Sequence, residues 1–153
     1  MKSDNSKTRH EILVVDDELL IRDLLFDFFS AQGFTIHLAE NGKKALEMID
    51  SLDIKAAIID LKMPELDGVE LTAMMHKHKP LVPVIIMTAY PSMDSAIEAI
   101  KHGVFDYVVK PFKIADLHET VKLAIKEYET RVSSGYMPAA NNKQVGIVSE
   151  MKD

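Results

Sequence analysis

The chain contains no cysteine and no tryptophan. Without cysteine there is no disulfide, no thiol catalysis and no cysteine-ligated metal. Without tryptophan, ligand titrations need NMR or calorimetry. Basic charge is also short: 18 Lys plus Arg against 24 Asp plus Glu give a formal net charge of −6. That balance argues against direct nucleic-acid binding by this chain. No apolar stretch approaches the ~20 residues of a membrane span. Met1–His10 is polar, lacks the apolar segment of a secretory signal, and reads as a disordered leader. A cytoplasmic protein is the expectation. There is no internal repeat and no long low-complexity run. What remains is ordinary for a globular domain: 153 residues, 47% hydrophobic and 27% charged, enough for one domain with a core.

The chain is organised around Ala56-Ala57-Ile58-Ile59-Asp60-Leu61-Lys62-Met63-Pro64. A short apolar run ending in one aspartate reads as a strand buried on both faces. Similar runs are Ile12–Val15, ending at Asp16-Asp17; Val84–Met87, ending at Thr88; and Tyr107–Val109, ending at Lys110-Pro111. Thr35–Ala39 is a less apolar strand. Helical spacing runs from Leu19 to Gln32, from Ala45 to about Leu52, from Gly68 to Pro80, from Ser92 to Gly103, and from Ile114 to about Arg131. Asn41-Gly42 is a turn signal, and Gly33 and Gly103 suit helix ends. Strands alternating with helices predict an α/β fold, a doubly wound five-stranded parallel sheet with helices on both faces. The expected organisation is a leader over 1–10, a domain over 11–131, and a linker and tail over 132–153. Within the tail, Ser133–Pro138 reads as the linker proper.

In such a sheet all strand ends of one polarity lie on one edge, where ligands gather. That edge collects Asp16, Asp17, Asp60, Thr88 and Lys110. Three carboxylates crowded together repel one another unless a cation is present. Oxygen-only donors suit a hard ion, best Mg²⁺. A lysine and a hydroxyl aimed at the same place suit a phosphoryl group. Taken singly, each residue has a blander reading. Asp17 would be an N-cap for the helix starting near Glu18, Thr88 a strand end, Lys110 a solvated lysine, and Tyr107 a core aromatic. Asp60 is less open to such a reading, because Pro64 follows too closely for a helix to start there. The six histidines are scattered and read as surface or core residues; the nine methionines read as filler.

Five segments, in order and at matching spacing, resemble the receiver domain of two-component response regulators. They are Val14-Val15-Asp16-Asp17-Glu18, Ile59–Pro64, Asp67-Gly68, Met87-Thr88-Ala89-Tyr90 and Tyr107–Phe112. The resemblance covers roughly Glu11 to Arg131 and is greatest to regulators of the nitrogen-control type. It implies a flavodoxin-like receiver fold with strand order 2-1-3-4-5. It implies that Asp60 accepts a phosphoryl group from a partner histidine kinase. Asp16, Asp17, Asp60 and the backbone carbonyl of Lys62 would hold Mg²⁺. Lys110 and Thr88 would contact the phosphoryl oxygens, and Thr88 with Tyr107 would act as the switch. The side chains of Lys62 and Tyr90 would tune hydrolysis, and Lys110-Pro111 would be cis. The surface from Ser92 to Tyr128 would change on activation, to control an output domain of the same chain or a separate partner, with a homodimer through that face or through the extended last helix.

Two rival functions belong to the same fold. A flavin carrier needs a phosphate-cradling loop after the first strand; here that loop is Asp16-Asp17-Glu18, which repels phosphate without a metal. A docking receiver that works without phosphorylation is disfavoured by the presence of Asp17, Asp60, Thr88 and Lys110 together. The tail segment Gln144–Lys152 faintly resembles the start of the ATPase domain that follows nitrogen-control receivers. On that ground the chain is expected to be a piece of a longer regulator.

Overall fold

In the computed structural model, which describes residues 10–136, strands and helices alternate from Glu11 to Ser134. The strands are β1 (Glu11–Val15), β2 (Thr35–Ala39), β3 (Ala56–Asp60), β4 (Val84–Thr88) and β5 (Asp106–Val109). The helices are α1 (Leu19–Ala31), α2 (Gly42–Met48), α3 (Gly68–His78), α4 (Met93–Lys101) and α5 (Ile114–Ser134). All pairings are parallel and the order is β2-β1-β3-β4-β5. The expected doubly wound sheet is therefore the architecture observed.

Strand residues alternate between two cores, as the period of two requires. Leu13, Val15, Ala57, Ile59, Val84 and Ile86 face one way, against Ala45 and Ile49, Leu71 and Met75 of α3, and Ala99 of α4. Ile12, Val14, Ala56, Ile58, Ile85 and Met87 face the other, against Leu25 and Phe29 of α1 and Leu117, Val121, Ala124 and Ile125 of α5. β3 and β4 are buried at every position. A sheet covered on both faces explains the unbroken apolar runs. It also fixes register, because a slip of one residue would exchange the two cores.

Three boundaries differ from expectation. Asn41-Gly42 is the start of α2 rather than a free turn: the Asn41 side chain accepts from Lys44 N at 2.8 Å. The α-helix then ends at Met48 and tightens into a 3₁₀ turn over Ile49–Ser51. α5 runs through Ser133 and Ser134, both assigned to the linker from sequence, and ends where Gly135 takes a left-handed φ of 70°. Arg131 holds this last turn in place. It pairs with Glu127 at 2.8 Å, donates to Leu81 O at 3.2 Å and lies over the Tyr136 ring at 5.2 Å. The leader over 1–9 and the tail from 137 lie outside the described residues.

Candidate functional site

Parallel strands bring the chain to the same sheet edge four times. β1 delivers Asp16 and Asp17, β3 Asp60, β4 Thr88 and β5 Lys110. Asp16 is held from all sides. Its N–H donates to Ala39 O at 3.2 Å, and its Oδ1 accepts from Glu18 N at 2.9 Å. Its carbonyl accepts from Arg22 of α1 at 2.8 Å, and its Oδ2 lies 3.0 Å from Lys110 Nζ. The Asp16 side chain is fully buried, Asp60 is buried and Asp17 is exposed. Asp16, not Asp17, therefore satisfies the backbone where α1 begins. The N-cap position is Glu18, which makes no side-chain cap. The capping alternative for Asp17 is not what the structure shows.

Lys110 reaches three carboxylates: Asp16 at 3.0 Å, Asp60 Oδ1 at 3.2 Å and Glu18 at 3.4 Å. It sits beside the cis peptide Lys110-Pro111, and its N–H donates to Thr88 O at 2.8 Å. Burial pulls the Lys110 pKa down, but the hydrogen bond and charge of Asp16 and the charge of Asp60 outweigh it and hold the ammonium above its ordinary range. Burial pushes the Asp16 carboxyl up, against the opposing hydrogen bonds from Glu18 N and Lys110. Asp60 is pushed up to about 6, first by burial, then by the charge of Asp16, with Lys110 opposing. Burial and like charge thus strain the carboxylates without neutralising Asp60 at pH 7.

Carboxylate oxygens of Asp16, Asp17 and Asp60 lie within 4.8 Å of one another, and this is the cluster of potential metal ligands found among the described residues. Three hard oxygen donors with no histidine or cysteine fit a small divalent cation of the Mg²⁺ kind. The Lys62 side chain is exposed.

Thr88 is fully buried, and its Oγ1 accepts from Tyr90 N at 2.9 Å. The Tyr90 ring is exposed beside it. Tyr107 is not simply a core residue. It is half buried, and its hydroxyl meets Ser95 of α4 at 2.5 Å. The histidines behave as read from sequence. His76 Nε2 donates to Val82 O, His37 meets Glu11, and His118 packs edge-on against Phe28, Phe29 and Phe34.

Four contributors escaped the sequence reading. Arg22 was hidden among the apolar residues of α1, though it stands four residues after Glu18, one turn above the acid loop. Gly68 was read as a helix opener and part of a matching segment, with no reason for the glycine itself; a Cβ there would lie 2.5 Å from Asp60 O and 2.9 Å from Leu61 Cα. Asp67 and Glu70 form a capping box that aims α3 at this loop. Ser95 carried no signal, since a serine near a helix start is ordinarily a cap.

A family model described as the response regulator receiver domain matches residues 12–122. The chain is 40% identical over 117 residues to the regulatory protein AtoC of Escherichia coli K12, covering 76% of this chain and 25% of that one. It is 37% identical over 118 residues to the DNA-binding transcriptional regulator NtrC of the same organism, covering 77% and 25%. Among solved structures, the response regulator TrrA of Thermotoga maritima in complex with Mg²⁺ and BeF is similar, with a TM-score of 0.68, 36% identity, and coverage of 75% of this chain and 98% of that one. A CheY-like receiver protein of Methanospirillum hungatei aligns with a TM-score of 0.78 at 28% identity, covering 81% and 99%. The chain spans between a quarter and a third of the length of the curated relatives it matches.

Proposed function

The chain belongs to the receiver-domain family of response regulators, of the kind found in AtoC, ZraR and NtrC, and from that premise we propose that Asp60 is its phosphoacceptor. The observation that supports this best is the position of Lys110. Its ammonium lies 3.2 Å from Asp60 and 3.0 Å from Asp16, at the mouth of a buried carboxylate cluster. A cation placed there stabilises negative charge delivered to the Asp60 oxygen.

The chemistry follows from the residues. The donor is the phosphohistidine of a kinase. An Asp60 oxygen attacks phosphorus, the P–N bond breaks, and its electron pair stays on the imidazole. Burial and the charge of Asp16 push Asp60 up to about 6, and a cation in the cluster would favour its ionised, nucleophilic form. Lys110 moves from balancing the Asp60 charge to balancing the phosphoryl oxygens. Thr88, at the end of the adjacent strand, gives up its bond from Tyr90 N and turns its hydroxyl to the same oxygens. Mg²⁺, held by Asp16, Asp17, Asp60 and the Lys62 carbonyl, would supply the charge neutralisation that lets an anionic nucleophile approach an anionic phosphoryl group. A related structure that carries Mg²⁺ and BeF supports Mg²⁺ as the ion.

The output is the α4–β5–α5 face, which exposes Met93, Ile97, Ile100 and Val109. It would engage an output domain of the same chain or a second copy. No helix among the described residues is long and apolar enough to cross a membrane, and we assign the domain to the cytoplasm, where kinases of this class act.

Intact mass after incubation with acetyl phosphate and Mg²⁺ tests the assignment. One phosphoryl group is expected on the wild type and none on Asp60→Asn. Full labelling of Asp60→Asn would overturn it.

A further inference from the structure

Sheet alternation puts Thr88 and Tyr107 on one face. Ile86 belongs to the core under α2, α3 and α4; Thr88 is two residues on and points the same way, and Tyr107 is paired with Ile86 across the β4–β5 ladder. Ala99 of α4 packs into that core, and Ser95 lies one turn before it, on the same helix face. Ser95 is therefore aimed at the sheet, where its hydroxyl meets that of Tyr107.

The Ser95 hydroxyl is fully engaged there. It lies 3.1 Å from Ser92 O, 3.0 Å from Ser92 Oγ and 2.5 Å from Tyr107 Oη. A carbonyl can only accept, so Ser95 donates to Ser92 O and accepts from the Tyr107 hydroxyl. α4 does not need this bond for its start. The cap is made by Ser92, whose side chain accepts from Ser95 N at 3.0 Å, and it uses only the backbone of residue 95. The Ser95 hydroxyl thus joins α4 to β5 through a single atom pair.

We propose that Ser95 is the positioning residue of Tyr107: its hydroxyl holds the ring against α4 and opposes the turn toward Thr88. The proposal rests on the reading of Thr88 and Tyr107 as the switch of a phosphoacceptor site. For Tyr107 to follow Thr88, its hydroxyl must leave Ser95. The bond therefore stabilises the arrangement described here at the expense of the other. A two-state element shifts only by the difference in its contacts between states. One neutral hydrogen bond is of the size that moves such an equilibrium by about three- to tenfold.

Beryllofluoride with Mg²⁺ serves as the phosphoryl probe, its affinity read by calorimetry on wild type, Ser95→Ala, Ser95→Thr, Tyr107→Phe and the Ser95→Ala/Tyr107→Phe double variant. Ser95→Ala and Tyr107→Phe are each expected to tighten binding about three- to tenfold. The double variant is expected to bind no tighter than either single one, and Ser95→Thr, which keeps the hydroxyl, to match wild type. NMR should show the Tyr107 ring resonances shifted by Ser95→Ala before any probe is added, with the far-UV spectrum unchanged. If wild type binds the probe but Ser95→Ala binds it with wild-type affinity, or if the two single effects multiply in the double variant, the proposal is overturned. A wild type that ignores beryllofluoride overturns the phosphoacceptor reading itself, and this proposal with it.

Discussion

At the scale of single residues, the site is a place where the fold tolerates electrostatic strain. Asp60 is held at about 6, above an ordinary carboxyl, by burial and by Asp16. An acid whose folded pKa is raised binds more protons folded than unfolded, so its contribution to stability is complete below the unfolded value near 4 and is lost as pH rises through about 6. Burial also lowers the pKa of His10 and His76, and the slope they contribute runs the opposite way. The comparison with Asp60→Asn separates the carboxylate cluster, Asp60 together with its coupled Asp16 and Lys110, from these histidines. In EDTA at pH 8, Asp60→Asn is expected to be more stable than wild type by about 1–3 kcal/mol. The gap should shrink as pH falls from 7 to 4, and saturating Mg²⁺ should reduce it as well. Urea midpoints across that range check this, and a gap independent of pH would contradict it. Tyr90 gives a second residue-level expectation. Its ring is exposed beside buried Thr88, at the mouth of the proposed phosphoryl site. A bulky ring there shields the phosphoryl group from water, so Tyr90→Ala should shorten the phosphoprotein lifetime several-fold, as followed by radiolabel or intact mass. The clustering of Asp16, Asp17, Asp60 and Lys110 was legible in the sequence because each follows an apolar run, and the fold sends all such ends to one edge. The bond from Ser95 to Tyr107 was not legible. It depends on which way two helix residues face, and a capping serine looks the same whether or not its hydroxyl is used twice.

At the scale of elements, the sequence carried the order and type of every strand and helix. Buried parallel strands are apolar throughout, and amphipathic helices repeat with their own period. It carried the ends less well, since ends are decided by single contacts. α2 begins where Asn41 accepts from Lys44 N. α5 continues past Arg131 because that residue is tied to the loop before β4 through Leu81 O, a contact between positions far apart in the chain. Gly68 shows how tightly one element end can depend on another. α3 starts against the backbone of the β3 terminus, and its N–H donates to Leu61 O at 2.9 Å. A methyl group at 68 would meet Asp60 O and Leu61 Cα. Neither is a flexible side-chain tip, so the strand end or the helix must move. Gly68→Ala is expected to cost about 1–3 kcal/mol and also to slow labelling of Asp60 by acetyl phosphate, because the displaced backbone carries the nucleophile. A thermal scan and a labelling time course read the two effects separately. Stability lost with the labelling rate intact would show that α3 moves and the β3 end does not.

At the scale of the whole molecule, two opposing properties bear on assembly. The chain carries a net charge of −6, so two copies repel at long range. Yet α4 and β5 together expose Met93, Ile97, Ile100 and Val109, with Ile100 72% exposed. Isolated apolar residues on a surface are ordinary, but several on one helix and the strand beside it form a patch suited to burial. Burial of such side chains is non-directional and insensitive to salt at moderate ionic strength, whereas repulsion between like-charged chains is screened within about 10 Å at 0.1 M salt. Self-association through this face is therefore expected to strengthen as salt rises from 20 to 200 mM, opposite to an interface held by ion pairs. Because the face includes the helix whose first turn contacts Tyr107, beryllofluoride with Mg²⁺ should strengthen association further. Ile100→Asp should keep the chain monomeric in every condition while leaving Asp60 labelling at the wild-type rate, since Ile100 lies on the exposed side of α4, away from the carboxylate cluster. Sedimentation velocity of wild type and Ile100→Asp at the two salt concentrations, each with and without the probe, decides the matter. Association that weakens with salt would replace the apolar patch with an ionic interface. Association that survives Ile100→Asp would move the contact to another face, with the exposed Val132 at the end of α5 the next surface to substitute.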